Sequence, residues 1–213
     1  MENFTNNNKA GIVINIIHAI QTNKVYLSDI DGQIGDGDHG INMNKGFSAA
    51  EEKITTGQSF STAMQTVGDI LLLEIGRSMG PIYGSFFRTC ARKIKDKELI
   101  TAPIFIEMLD SALESVKTIG GAKVGDKTLI DTMEPATSTI RKEWENTKSF
   151  RKALEASIKA AETGKDSTRD MVPQIGRAAR LGERSVGVLD AGATSCYIIL
   201  KTMFESIIPV LKE

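Results

Sequence analysis

Three carboxylates crowd the stretch DGQIGDGDHG, Asp31 to Gly40. Asp31, Asp36 and Asp38 are hard oxygen donors, and the glycines between them allow a backbone tight enough to bring them together. Gly35–Gly40 also fits G-x-G-x-x-G, the fingerprint of a dinucleotide-binding turn. That fingerprint requires a preceding strand within a βαβ unit, whereas helical patterns lie on both sides here. Carboxylates aimed at a pyrophosphate would also repel it. The chain has no Walker A pattern, G-x-x-x-x-G-K-[ST]. An EF-hand register fails as well: counted from Asp36 the twelfth position is Phe47, and counted from Asp29 the sixth is Ile34.

The repulsion disappears when a cation lies between the acids and the phosphates. Mg²⁺ suits such a role, because it prefers oxygen and commonly takes its remaining ligands from substrate phosphates. Three carboxylates at one point can hold two such ions, which neutralise charge during phosphoryl transfer. On spacing alone two readings stand, a magnesium site and a solvated acidic turn, since Asp and Gly are ordinary turn residues. His39 by itself reads as a loop residue or helix-start donor. Asn42, one turn into the next helix, can reach a phosphate from the positive end of the dipole.

The elements that must position this loop read as helices. AGIVINIIHAIQTN puts Ile12, Ile16 and Ile20 on one face, with Val13 and Ile17 beside them. Further helices are expected from Ile41 to about Thr55, from a Ser59 or Ser61 cap to Gly76, and from Pro81 onward. Another starts at a Thr101 cap and stops at Gly120-Gly121, and two more run from about Thr128 to Glu143 and Ser149 to Thr163. A short helical stretch follows Pro173, and a last helix spans about Gly192 to Leu211. KVYLSDI alternates weakly, as a strand would, with nothing to pair with it. The expected fold is all-α: a single domain over 1–213, with eight antiparallel amphipathic helices in an up-and-down barrel or bundle. Glycine-rich connections recur at 32–40, 76–80, 120–127 and 187–192, and alternate connections of such a bundle share one end.

Composition narrows the function classes. With 41% hydrophobic and 25% charged residues over 213 positions, the chain reads as one globular domain. A formal net charge of -1 supplies no global basic field for nucleic acid or an anionic membrane, so any anion must be held by a local site. The N-terminus lacks a basic n-region and a small-residue cleavage site, and no apolar run reaches the ~18 residues of a membrane span. Cys90 and Cys196 could form one disulfide, but they read better as two buried thiols in a reducing compartment. The expected location is cytoplasmic.

With these motifs assembled, the chain resembles the L (nucleotide-binding) subunit of dihydroxyacetone kinases. The resemblance spans nearly the whole chain and rests on four motifs in order: DGQIGDGDHGINMNKGF (31–47), GPIYGSFF (80–87), GAKVGDKTLIDTMEPA (121–136) and GRAARLGERSVGVLDAGATS (176–195). It implies an eight-helix barrel with ADP or ATP and two Mg²⁺ at one end. By that resemblance Asp31, Asp36 and Asp38 are the metal ligands, and His39, Gly40, Ile41 and Asn42 line the phosphates. Met79 and Gly80 would lie under the phosphate tail, and Gly120, Gly121, Thr128 and Leu129 would border the base. Arg177 with Asp190, Ala191 and Gly192 would complete the pocket.

The resemblance also implies partners. A separate K subunit holds dihydroxyacetone, and a phosphotransferase-system phosphocarrier rephosphorylates the bound ADP, so the chain is expected to be a free L subunit of the phosphoenolpyruvate-dependent branch. Homodimerisation stays open. One loop departs from the family pattern: where a Gly-Gly-Ser-like run usually ends Ser-Gly-Pro, this chain reads GRSMGP, with Arg77 for a glycine and Met79 for the serine. Leu129 for a common methionine and Ala191 for a common proline are milder changes. Two alternatives therefore accompany the kinase reading: a non-catalytic nucleotide-binding regulator of a transcription factor, and an ATP-exchanging kinase subunit for another short ketose.

Overall fold

Amphipathic runs separated by glycine, proline and cap residues fold into nine α-helices among the described residues. The structure is a computed structural model and describes residues 1–76, 78–176 and 178–213. Arg77 and Arg177, both singled out in the sequence, lie outside the described residues. The helices are α1 (Ala10–Thr22), α2 (Lys24–Ile34), α3 (His39–Glu51), α4 (Phe60–Glu74), α5 (Met79–Ile94), α6 (Ala102–Gly120), α7 (Ile130–Thr147), α8 (Phe150–Ser167) and α9 (Ala191–Ile207). Two three-residue strands, β1 (Asn3–Thr5) and β2 (Leu99–Thr101), pair antiparallel.

The helices close a ring. From α3 to α9 each packs on its successor, and α1 packs on both α9 and α3. α2 lies against the same two neighbours, α3 and α9, so α1 and α2 share one position in the ring. They are broken only at Asn23, whose N–H donates to Ala19 O and whose carbonyl accepts from Leu27 N–H. Eight ring positions thus match the expected eight-helix barrel. The ninth helix is the stretch KVYLSDI, whose weak alternation suggested a strand. Its helical face is Leu27, Ile30 and Ile34, a spacing of three and four that the longer window reveals.

The caps behave unevenly. The Ser59 hydroxyl accepts from Thr62 N–H at the start of α4, as its position predicts. Thr101 holds the N-cap position of α6 but makes no side-chain cap bond; Pro103 follows in the first turn, and Gly121 ends the helix with φ of 64°. Past Pro173 the chain forms two 3₁₀ turns, Ala178–Arg180 and Gly182–Ser185, in place of one short helix.

One end of the barrel is laced shut. Phe4 of β1 is fully buried among Phe60, Phe105 and Phe150. The Asn6 side chain bonds Ser61, Ile94 O and Lys97 O, and the Glu2 carboxylate accepts from the first N–H groups of α8. Segments 52–59, 95–101 and 148–149 therefore gather at this end, and α3, α5, α7 and α9 begin at the opposite one. Cys90 and Cys196 are buried and free. The stretch Ala191–Val210 is apolar enough by composition to cross a membrane, with mean hydropathy 1.2, but 56% of it is buried within the barrel. Contacts with α1, α7 and α8 account for that apolarity.

Candidate functional site

Four helices begin at the unlaced end: α3, α5, α7 and α9. The first N–H groups of a helix have no partner within it, so four partial positive charges face one region. A cavity of about 390 Å³ lies there. It is lined by Asp31, Asp36, Asp38, His39, Asn42, Met79, Gly120, Thr128, Leu129, Asp190, Ala191 and Gly192, all singled out from the sequence. Segments more than 150 positions apart thus meet at one point.

Four expected residues lie outside this lining. Gly40 packs where α3 crosses α2; a Cβ there would sit 2.0 Å from Lys24 O. Gly80 is pressed against the end of α4, where a Cβ would meet Ile75 O at 2.0 Å. Ile41 points outward, 56% exposed, and Gly121 serves as the left-handed end of α6. Met79 lines the cavity where the family pattern has a serine, and the exposed Ser78 beside it brings a hydroxyl to the same wall.

The acidic loop has the geometry of a metal site. Asp31, Asp36 and Asp38 each offer a carboxylate oxygen, and the three oxygens lie within 4.8 Å of one another. Gly37, with φ of 74°, turns the chain between the last two acids in a conformation that side chains disfavour. Asp31 Oδ2 accepts from His39 N–H at 3.2 Å. Burial pushes the Asp31 carboxyl above the ordinary carboxylate range; the His39 N–H opposes this, and the charges of Asp36 and Asp38 reinforce it. Crowded oxygens of one sign at a half-buried point fit a divalent, oxygen-preferring cation of the Mg²⁺ class.

Several residues of the site were not singled out in the sequence. His39 Nε2 lies 2.8 Å from the Ser195 hydroxyl, which lies 2.6 Å from the Tyr83 hydroxyl. Burial holds the His39 ring neutral, with its pKa lowered to about 4. Lys127 is 2% exposed, has a φ of 60°, and donates to Met171 O at 3.1 Å and Ser185 O at 2.7 Å. It ties the 121–129 connection to the long α8–α9 segment, although a lone lysine in a loop reads as a surface cation. The Asp131 carboxylate accepts from Gly125 N–H and Thr128 N–H, shaping the turn into α7. Asp190 caps α9 through Ala193 N–H at 2.6 Å, and burial raises its pKa to about 7.

Ile82, Ile119, Leu129 and Ile175 add apolar side chains to the same lining. The lining therefore combines carboxylates suited to cations with apolar side chains suited to a planar base. A larger open groove of about 720 Å³, carrying Arg88, Arg92 and Lys95, runs along α4 to α6. Among the described residues its lining contains no carboxylate, so the metal-site chemistry belongs to the smaller cavity.

Known proteins resemble this chain in sequence and in fold. Residues 33–205 match the family model described as the DAK2 domain. The chain is 35% identical over 184 residues to the Escherichia coli PEP-dependent dihydroxyacetone kinase, ADP-binding subunit DhaL, covering 85% of this chain and 88% of that one. It is 32% identical over 192 residues to the ADP-binding subunit DhaL of PEP-dependent dihydroxyacetone kinase 2 from Listeria innocua, covering 88% of each. Its fold superposes on crystal structures of the C. freundii dihydroxyacetone kinase, in the native form and in complex with AMP-PNP and Mg2+, each with a TM-score of 0.70. Identity there is 25% and 24%, and the match covers 92% of this chain but only 34% and 33% of those longer chains. With one family model spanning most of its length and relatives of matching size, the chain belongs to the DAK2-domain family.

Proposed function

We propose that this chain is the nucleotide-binding phosphotransferase subunit of a phosphoenolpyruvate-dependent dihydroxyacetone kinase. It holds ADP with two Mg²⁺ as a cofactor, is rephosphorylated by a phosphotransferase-system phosphocarrier, and passes the phosphoryl group to dihydroxyacetone on a separate K subunit. One observation carries this reading: three carboxylate oxygens within 4.8 Å of one another border a cavity toward which four helices begin. The names of the relatives, ADP-binding subunits of the same length class, support it. Two buried free thiols accord with a reducing, cytoplasmic location.

The division of labour follows from the residues. Asp31, Asp36 and Asp38 would hold the metal, which when bound supplies charge neutralisation at the phosphates. The helix starts at His39, Met79 and Ala191 orient phosphate oxygens, and Asn42 offers an amide one turn into α3. Ile82, Ile119 and Leu129 enclose the base and keep water from it. Phosphoryl transfer asks mainly for positioning and charge stabilisation, so the chain needs no general base of its own when the acceptor is activated on a partner.

Denaturing the purified protein and assaying the supernatant tests the cofactor model: about one ADP per chain is expected. Turnover should then require the phosphoenolpyruvate relay together with a K subunit and dihydroxyacetone; many turnovers on free ATP alone would overturn retention. Asp36→Asn should abolish transfer with the helical circular-dichroism spectrum unchanged, and an active variant would remove Asp36 from the metal site. Met79 on the cavity wall favours a second reading, a nucleotide-binding regulator, which retained ADP without any transfer would identify.

A further inference from the structure

Beneath the acidic loop, side chains from three elements meet in one hydrogen-bonded chain. His39 stands at the start of α3, Ser195 in the first turns of α9 and Tyr83 on α5. The Ser195 oxygen lies 2.8 Å from His39 Nε2 and 2.6 Å from the Tyr83 hydroxyl. The Tyr83 hydroxyl also lies 3.1 Å from Gly192 O, and the Ser195 hydroxyl 3.0 Å from Ala191 O. His39, Tyr83 and Ser195 are 8%, 4% and 0% exposed, so none can exchange its partner for bulk water. The elements they join are those that open on the cavity. His39 directly follows Asp38 and gives its own N–H to Asp31, while Gly192 and Asp190 line the same cavity.

We propose that Tyr83 and Ser195 are positioning residues for the acidic loop, fixing it through His39 against the start of α9 so that its three carboxylates converge before metal arrives. The inference rests on the magnesium reading above and names the buried groups that preorganise that site.

The hydrogen inventory gives the chain a direction. Tyr83 and Ser195 each carry one hydroxyl proton, and the Ala191 and Gly192 carbonyls can only accept. If His39 donates from Nε2, the Ser195 oxygen accepts it. One hydroxyl proton then bridges Ser195 and Tyr83, and the other reaches a carbonyl. If Nε2 accepts instead, Ser195 gives its proton to His39 and Tyr83 gives its own to Ser195. No donor is then left for either carbonyl. The Nε2–H tautomer makes one more bond and is the one this packing selects.

The test titrates Mn²⁺, followed by electron paramagnetic resonance in the presence of ADP, into full-length wild type, Tyr83→Phe, Ser195→Ala and the double variant. Ser195→Ala strands His39 Nε2, leaves the Tyr83 hydroxyl only Gly192 O, and should bind Mn²⁺ about five- to tenfold more weakly, the size of one buried hydrogen bond. Tyr83→Phe should show a smaller loss. The double variant should be no more than about twofold worse than Ser195→Ala, because the two groups act along one chain. Ring ¹⁵N spectra give an independent readout, since His39 is one of only two histidines. Wild type should show the Nε2–H tautomer and Ser195→Ala should lose that preference. Variants that bind Mn²⁺ as tightly as wild type would overturn the proposal, even if they melt earlier. If Ser195→Ala does not fold, wild-type Mn²⁺ affinity in Tyr83→Phe has the same force; if Tyr83→Phe does not fold, an unchanged His39 tautomer in Ser195→Ala does. A wild-type protein that binds no Mn²⁺ with ADP would sink the magnesium reading itself, which separates the two failures.

Discussion

At Asp190 burial outweighs the capping bond from Ala193, and the carboxyl rises to about 7. Asp131 and Asp31 add repulsion, and Lys127 opposes it. A carboxyl held above its unfolded value contributes stability at low pH, and that contribution is lost as pH rises through about 7. The neutral His39, held near 4, acts in reverse: its contribution is present above its ordinary 6.5 and is lost as pH falls. The two slopes oppose between these limits. Asp190→Asn keeps an oxygen to cap α9 and removes one slope. In urea unfolding of metal- and nucleotide-free protein, wild type should gain about 2–3 kcal/mol over the variant between pH 8 and pH 5. A constant difference would show that Asp190 is not the group responsible. The acidic triad was legible because its members lie within eight positions of one another and glycine separates them. Tyr83, Ser195 and Lys127 were not, because a tyrosine and a serine bonded across 112 positions carry no local pattern.

Between elements, the crossing of α2 and α3 fixes both ends of the acidic loop. Gly40 permits that crossing: an added Cβ would lie 2.0 Å from Lys24 O and 2.9 Å from Ser28 N. Alanine would favour the helix by roughly 1 kcal/mol, but overlap with backbone of this degree costs more, typically 1–3 kcal/mol or above. Gly40→Ala should therefore lower the denaturation midpoint despite its better propensity and weaken Mn²⁺ binding with it. A midpoint that rises would mean the helices can part freely. The sequence revealed most helices through caps and apolar spacing, and it revealed the alternate glycine-rich connections. It hid α2, because a seven-residue window of mixed polarity is too short to separate a period of two from one of 3.6. It also hid the β1–β2 pair, whose six residues are held by partners nearly a hundred positions away.

Across the whole molecule, exposed apolar side chains are not spread evenly. Ile41, Leu72, Leu73, Ile119, Val124 and Val186 all stand on segments that end at the cavity, and Leu73 is 80% exposed. Exposed apolar side chains at this end suit protein docking, and under the proposed function a K subunit and a phosphocarrier would both have to reach the cavity. Leu73→Asp with Val124→Asp should raise the KM for the K subunit at least severalfold in a coupled assay while leaving ADP retention intact. An unchanged KM would place docking elsewhere. The ring itself was readable from helix number and short connections, whereas the rim follows only from knowing which ends coincide.

The lacing at the far end has one more consequence. Asn3 and Lys212 exchange both backbone hydrogen bonds, so the two extremities of the described chain meet, on the side away from the cavity. Any module joined by a tether at either extremity would hang from the same pole and leave the cavity mouth open to visitors. A covalently attached donor or acceptor would have to fold back along the full length of the staves to use it.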